Sequence, residues 1–136
     1  MDIFEKDTLR ITNVYGPTEC CDVTTTYTIS SDNLNELKNV PIGTPITNVT
    51  TYILNKDKNI AEVGCEGEIY ISGNGVGRGY VGMVKETEEN FLPDPFKLGN
   101  IMYKTGDLAR YLPDGNIEYI GREDNQVKIR GFRIEL

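Results

Sequence analysis

Short apolar and β-branched runs, broken by Gly, Pro and polar clusters, set the rhythm of this chain and predict strands more than helices. The first run spans 9–15 and is halted by Gly16-Pro17. Others cover 23–29, 47–54 and 67–72, the last two separated by a charged connection at 55–66. Residues 107–112 and 116–121 flank Pro113-Asp114-Gly115, a strong hairpin signal, because proline presets φ and glycine accepts a positive one. A last pair, 126–130 and 132–136, straddles Gly131, with Phe132, Ile134 and Leu136 on one face and Arg133 and Glu135 on the other. Helical signals are fewer. Pro17-Thr18-Glu19 has the marks of a helix start, with proline at the first position and an acid that complements the dipole. Residues 84–92 are the one helix of any length, stopped by Pro93, and the polar stretch 30–39 reads as a surface loop or a single helical turn.

Composition strengthens the strand reading. Ile, Val and Thr together number 36 against two Ala, so residues that suit a pleated surface far outnumber the best helix former. The fold expected is mainly β with one or two short helices. At 136 residues the chain is one domain's worth, and a β-rich core of that size buries roughly two-thirds of the unfolded surface. The final strand pattern runs to Leu136 with no closing turn or polar tail, and both ends look cut, so a fragment of a larger protein is expected.

Charge and residue usage remove several function classes. Acidic residues outnumber basic ones 21 to 14, for a net charge of −7, where a nucleic-acid binder needs a basic stripe. Histidine is absent, and with it the usual general base, the Ser–His and Cys–His dyads and the commonest metal ligand. No apolar run approaches the ~18 residues of a membrane helix, and the first 20 residues carry no signal-peptide pattern. Neither a nucleic-acid nor a membrane partner is expected. Three cysteines, Cys20, Cys21 and Cys65, form no CxxC and fit a reduced, cytoplasmic chain.

Two familiar nucleotide motifs fail on inspection. Gly73-Asn-Gly-Val-Gly-Arg-Gly79 does not satisfy G-x-G-x-x-G, and Tyr80-Val81 follows where a helix should begin, so it reads as a glycine-rich turn after a strand. Lys104-Thr105 follows Tyr103 and not a glycine, which rules out a P-loop.

Three other segments carry candidate chemistry. Asn13-Val-Tyr-Gly-Pro-Thr-Glu19 brings a base-stacking aromatic, a tight turn, a hydroxyl and a carboxylate together between a strand end and a helix start. Helix starts favour phosphate oxygens, and a hard carboxylate suits Mg²⁺; the plainer alternative is a capped helix. Tyr103-Lys-Thr-Gly-Asp107 is read as a turn presenting one Asp at the head of a hairpin, where a carboxylate can accept from both hydroxyls of a ribose or simply serve the turn. The basic residues of the segment from Gly121 to Leu136 also fit a solvated strand face.

In this order, the three segments resemble the adenylate-forming superfamily, and most nearly the amino-acid adenylation domain of nonribosomal peptide synthetases. The resemblance covers essentially the whole chain. It includes Val40-Pro-Ile-Gly43 with Pro45-Ile46, and Gly67-Glu-Ile-Tyr-Ile-Ser-Gly73 followed by Gly77-Arg-Gly-Tyr80. Its most specific parts are Tyr103-Lys-Thr-Gly-Asp-Leu108 and Gly121-Arg-x-Asp124 with Gln126-Val-Lys-Ile-Arg-Gly131. The resemblance implies a distorted β-barrel subdomain within a larger α/β multidomain fold. Residues 1–22 would end the α/β core, 23–123 would form the barrel, and 124–136 would hold the hinge and the start of a C-terminal lid.

The roles it implies fall on named positions. Tyr15 stacks on adenine, beside Gly16; Asn13 bonds the adenine amino group; Thr18 contacts the α-phosphate; Glu19 helps hold Mg²⁺. Asp107 takes the ribose hydroxyls, Tyr119 faces the adenine from its other side, Arg122 lies near ribose and phosphate, and Asp124 is the hinge. Val14, Asp22 and Val23 fall at positions lining the amino-acid pocket. ATP and an amino acid would give an aminoacyl-adenylate and pyrophosphate, and a pantetheine thiol on a carrier-protein domain would then take the acyl group. Such reactions serve the synthesis of antibiotics and other secondary metabolites. They need charge stabilisation at phosphorus more than a general base, so a missing histidine is no objection.

The sequence departs from the family pattern in what it omits. It has no phosphate loop ending in Lys-Gly, no upstream aspartate for the substrate amino group and no far C-terminal catalytic lysine; Lys128 belongs to the strand after the hinge. The expectation is half a nucleotide site, dependent on the remainder of its adenylation domain and inactive alone. A docking module derived from such a domain, and a piece of an acyl-CoA synthetase, are the two alternatives.

Overall fold

The computed structural model describes residues 10–124, together with the backbone of 127–129 and 132–134. Within them the chain is mainly β, with a sheet that curls into half a barrel. The first sheet is a hairpin of β1 (Ile11–Tyr15) and β2 (Thr25–Ile29), in register from Ile11 opposite Ile29 to Tyr15 opposite Thr25, with the short β3 (Thr44–Pro45) on its edge. The second sheet holds β4 (Val49–Leu54), β5 (Gly67–Gly73), β6 (Phe91–Pro93), β7 (Ile101–Tyr111) and β8 (Ile117–Arg122), all antiparallel to their neighbours. β5 runs beside β7 along its length, while β6 and then β8 occupy successive halves of the other edge of β7. A small hairpin of β9 (Val127–Ile129) and β10 (Phe132–Ile134) follows. The expected positions Gly131 and Leu136 lie outside the described residues.

Burial of one apolar cluster explains why the sheet closes on itself. Ile53, Ile69, Ile71, Tyr103, Ala109 and Ile117 pack together, and Cys20 and Ile42 bring the first sheet into the same core. Each fully buried Ile or Leu side chain contributes about 1.5–3 kcal/mol. Gly43 locks the two sheets: it bridges Ile117, with Ile117 N donating to Gly43 O at 2.8 Å and Ile42 N to Ile117 O at 2.9 Å. Its φ is +85°, and a Cβ there would stand 1.8 Å from Thr26 O, so only glycine lets the backbones approach. No helix among the described residues is long and apolar enough to cross a membrane.

Three local expectations change. The helix start at Pro17 yields only a 3₁₀ turn, Thr18–Cys20, with Pro17 extended before it (φ −78°, ψ 154°). The β1–β2 hairpin must close at Tyr15–Thr25, and Cys21 and Asp22, both at left-handed φ, turn the chain back before a second helical turn forms. The helix at 84–92 becomes α1 (Val84–Asn90), because Phe91 and Leu92 leave it to pair with Tyr103 and Met102 before Pro93 is reached. The turn expected at 103–107 is instead the middle of β7, which continues through it with a bulge.

Candidate functional site

β1, the 3₁₀ turn, β7 and β8 converge on one cavity of about 1180 Å³. Asn13, Val14, Tyr15, Gly16, Thr18 and Asp22 line it from the first sheet, and Asp107, Tyr119, Arg122 and Asp124 from the second. Of the positions singled out from sequence, Glu19 and Val23 are not on this wall. Glu19 lines a smaller adjoining cavity of about 620 Å³, which shares Tyr103, Arg122 and Asp124 with the larger one or with its rim.

Asp107 is the centre of the site. The residue is 8% exposed, its Oδ2 accepts the Tyr15 hydroxyl at 2.5 Å, and its Oδ1 accepts Arg122 Nη1 at 2.8 Å. Arg122 also holds Asp124 in a bidentate pair, Nε to Oδ1 and Nη2 to Oδ2, both at 2.7 Å. A planar guanidinium is the one side chain able to serve both carboxylates and the Thr105 carbonyl at once. Hydrogen bonding to Asp124 first, then the Asp107 charge, keeps Arg122 firmly protonated against the cost of its burial. Burial, followed by the Asp107 carboxylate, pushes the Tyr15 phenol well above the usual tyrosine range, so it stays a donor.

The aromatic wall is built from both sheets. The rings of Tyr15 and Tyr119 lie 6.3 Å apart at 39°, a direct contact. Two rings sandwiching a third need about 7 Å, from two layers of carbon contact, so a flat ligand fits between these rings only when they stand slightly farther apart. Tyr119, 42% exposed, is the less enclosed of the two. Asn13 Nδ2 donates to Pro41 O at 2.7 Å, which fixes the amide on β1 and commits its nitrogen.

Glu19 is braced from the second sheet. Its Oε1 accepts the Tyr80 hydroxyl at 2.8 Å, Tyr103 bonds the same carboxylate, and burial, then Tyr80, raises the Tyr103 phenol far out of the neutral range. The glycine-rich turn has its function here: Gly77 N donates to Glu19 O at 2.8 Å, and a Cβ on Gly75 would crowd Cys20 O at 3.1 Å. Glycines let this loop lie against the turn that carries Glu19. Sequence reasoning placed the loop after a strand but did not find its partner.

The model of AMP-binding enzymes matches residues 1–81 of the chain. This chain belongs to the AMP-binding enzyme family. As a member of that family it is 52% identical over 127 residues to surfactin synthase subunit 1 of Bacillus subtilis (strain 168), covering 93% of this chain and 4% of that protein. Bacitracin synthase 1 of Bacillus licheniformis is also 52% identical over 127 residues, which is 93% of this chain and 2% of its own. Among solved structures, PA1221, an NRPS protein containing adenylation and PCP domains, superposes with a TM-score of 0.87 at 36% identity, over 94% of this chain and 26% of that one. NpsA-ThdA, an artificially fused adenylation–PCP di-domain NRPS from Klebsiella oxytoca, gives 0.82 at 36% identity, over 93% and 24%. The chain thus spans about a quarter of these solved structures and a few per cent of the curated relatives. The likeness to nonribosomal peptide synthetase adenylation domains, read from the motifs, holds for the family and for the fold.

Proposed function

We propose that this chain supplies the adenine, ribose and magnesium side of the nucleotide site in an amino-acid-activating adenylation domain. The observation that carries the reading is the doubly held Asp107 carboxylate on the wall of a cavity that Asn13, Tyr15, Thr18 and Arg122 also line. A carboxylate oxygen has two lone pairs, so each Asp107 oxygen retains acceptor capacity for a ribose hydroxyl beside its protein donor. Asn13, its amide oriented by the bond from its nitrogen to Pro41 O, offers its amide oxygen to the exocyclic amino group of adenine. Tyr15 and Tyr119 take the base, Thr18 the α-phosphate, and Arg122 the ribose–phosphate edge. Val14 and Asp22 border the amino-acid pocket from the cavity wall, with Val23 following them in the chain.

Glu19 is the proposed Mg²⁺ ligand. A hard carboxylate suits the ion, and one or two carboxylates suffice where phosphates complete the coordination. Bound Mg²⁺ would neutralise charge on the phosphates. The chain's own residues orient the nucleoside and keep it against the sheet.

The intact domain would form an aminoacyl-adenylate and pass the acyl group to a carrier-protein pantetheine, in the cytoplasm, with Asp124 as the start of the moving lid. Titration of the ¹⁵N-labelled chain with AMP and Mg²⁺ tests this reading. Amide shifts clustered at Tyr15, Asp107 and Arg122, lost in Asp107→Ala, are expected. A dispersed spectrum that ignores AMP would overturn the nucleotide assignment and favour a docking module.

A further inference from the structure

We propose that Glu68 is a positioning residue of this site: it aims Asp107 through the backbone of Gly106. The proposal rests on the nucleotide reading above but is separable from it. β5 and β7 are in register at Glu68–Leu108 and again at Tyr70–Lys104, so Thr105, Gly106 and Asp107 all stand opposite the single residue Ile69. β7 bulges there, and bulges beside sites commonly re-aim one side chain. The ladder bonds lost at the bulge are replaced by side chains. Thr105 Oγ1 donates to Ile69 O at 2.8 Å and accepts Asp107 N at 3.0 Å. Glu68 Oε1 accepts Gly106 N at 3.0 Å, and Glu123 N donates to Gly106 O at 3.0 Å.

Gly106 sits at φ +72°, and a Cβ there would meet Arg122 Nη2 at 2.8 Å. The peptide that Glu68 grips is therefore wedged between the two partners of the site, Asp107 and Arg122. Glu68 is 8% exposed, and its other oxygen accepts the Tyr70 hydroxyl at 3.1 Å, with Lys104 Nζ at 4.0 Å. With one oxygen on the Gly106 amide and the other on the Tyr70 hydroxyl, the buried carboxylate is fixed at both ends, and its length sets where the Gly106 peptide lies.

Reach and charge separate experimentally. Glu68→Gln keeps an acceptor of the same length; Glu68→Asp keeps the charge but stops one methylene short of Gly106. AMP affinity of the chain and the exchange rate of the Gly106 amide are measured for both. Glu68→Gln is expected to bind AMP within about threefold of the parent, and Glu68→Asp at least about tenfold more weakly, with loss of Gly106 protection. The opposite order, Asp tolerated and Gln impaired, would mean that Glu68 acts as a charge, and parental behaviour in both would mean that it does not position the site. Where even the parent chain ignores AMP, the nucleotide reading fails alone: Gly106 protection kept in Gln and lost in Asp sustains the positioning role, and protection unchanged in both overturns it. Both changes are small enough to leave the surrounding sheet folded, which the dispersion of the β4 and β5 amides monitors.

Discussion

The phenol of Tyr15 and the carboxylate of Asp107, 92 positions apart, are joined by a 2.5 Å hydrogen bond that ties the first sheet to the long strand of the second. With Arg122 on the other oxygen, the plane of that carboxylate is fixed before any ligand arrives. Such preorganisation lowers the cost of binding, because the groups that must be ordered already are.

Tyr15→Phe keeps the ring for stacking and removes only the donor. We expect a stability loss of about 1–2 kcal/mol, since a buried acceptor loses one partner, and AMP binding weakened several-fold. Urea unfolding and calorimetric titration check both. Unchanged AMP affinity alongside reduced stability would make the bond purely structural.

Arg122→Lys should behave as a loss and not as a conservative change. A lysine reaches one carboxylate, whereas Arg122 serves Asp107, Asp124 and the Thr105 carbonyl together. AMP affinity is expected to fall about tenfold, and Arg122→Gln is expected to fall as far. Lysine at parental affinity would show that charge alone suffices at this position.

Much of this fold was legible along the chain. The β-branched runs at 9–15, 23–29, 47–54 and 67–72 hold the strands Ile11–Tyr15, Thr25–Ile29, Val49–Leu54 and Gly67–Gly73, and Pro113-Asp-Gly115 marked the β7–β8 connection, because each signal is local. What failed was non-local. Gly106 announced a turn at 103–107, yet its positive φ is absorbed in a bulge, and the bulge depends on Glu68, 38 positions away. Glu68 itself gave no signal: in Gly-Glu-Ile-Tyr-Ile-Ser its polar neighbours suggest an outward face, while the whole of Gly67–Ser72 is buried. The Asn13-to-Glu19 segment was recognised by residue type, but its division between two cavities depends on the second sheet packed against it, which no local pattern encodes: Asp107 and Arg122 face Tyr15 in the larger cavity, and Tyr80 and Tyr103 hold Glu19 in the smaller.

Two glycines with nearly the same φ separate backbone preference from crowding. Gly115→Ala, at φ +87° in open space, should cost about 1 kcal/mol, the ordinary penalty for an L-residue in the left-handed region. Gly43→Ala, at φ +85° against Thr26 O, adds a backbone clash and should cost at least about 3 kcal/mol or prevent folding. Comparable midpoints in denaturant for the two variants would show that the junction between the sheets is looser than the 1.8 Å approach implies.

The pH profile of stability follows from the buried phenols and from the buried carboxylate of Asp94. Burial first, and then the Asp94 hydrogen bond, raise Tyr52 to about 12; burial also leads the upward shifts of Tyr15, Tyr70 and Tyr103. Unfolded phenols ionise near 10, so their contribution is complete below about pH 10 and is lost as pH rises through the folded values. On the acid side, desolvation works to raise Asp94, but hydrogen bonds from Ser72, Phe96 N, Tyr52 and Lys97 N outweigh it and lower the carboxyl below its usual value. Its contribution is present above about pH 4 and disappears as pH falls through the lowered folded value. The melting temperature is therefore expected to hold level between about pH 5 and 9 and to fall on both sides, with the tyrosinate absorbance of Tyr15, Tyr52, Tyr70 and Tyr103 appearing only as the fold is lost. Ionisation of all eight tyrosines near pH 10 in a chain that stays folded would contradict this packing. Asp94→Asn, which keeps the shape and removes the titration, should flatten the acid limb and leave the alkaline one in place.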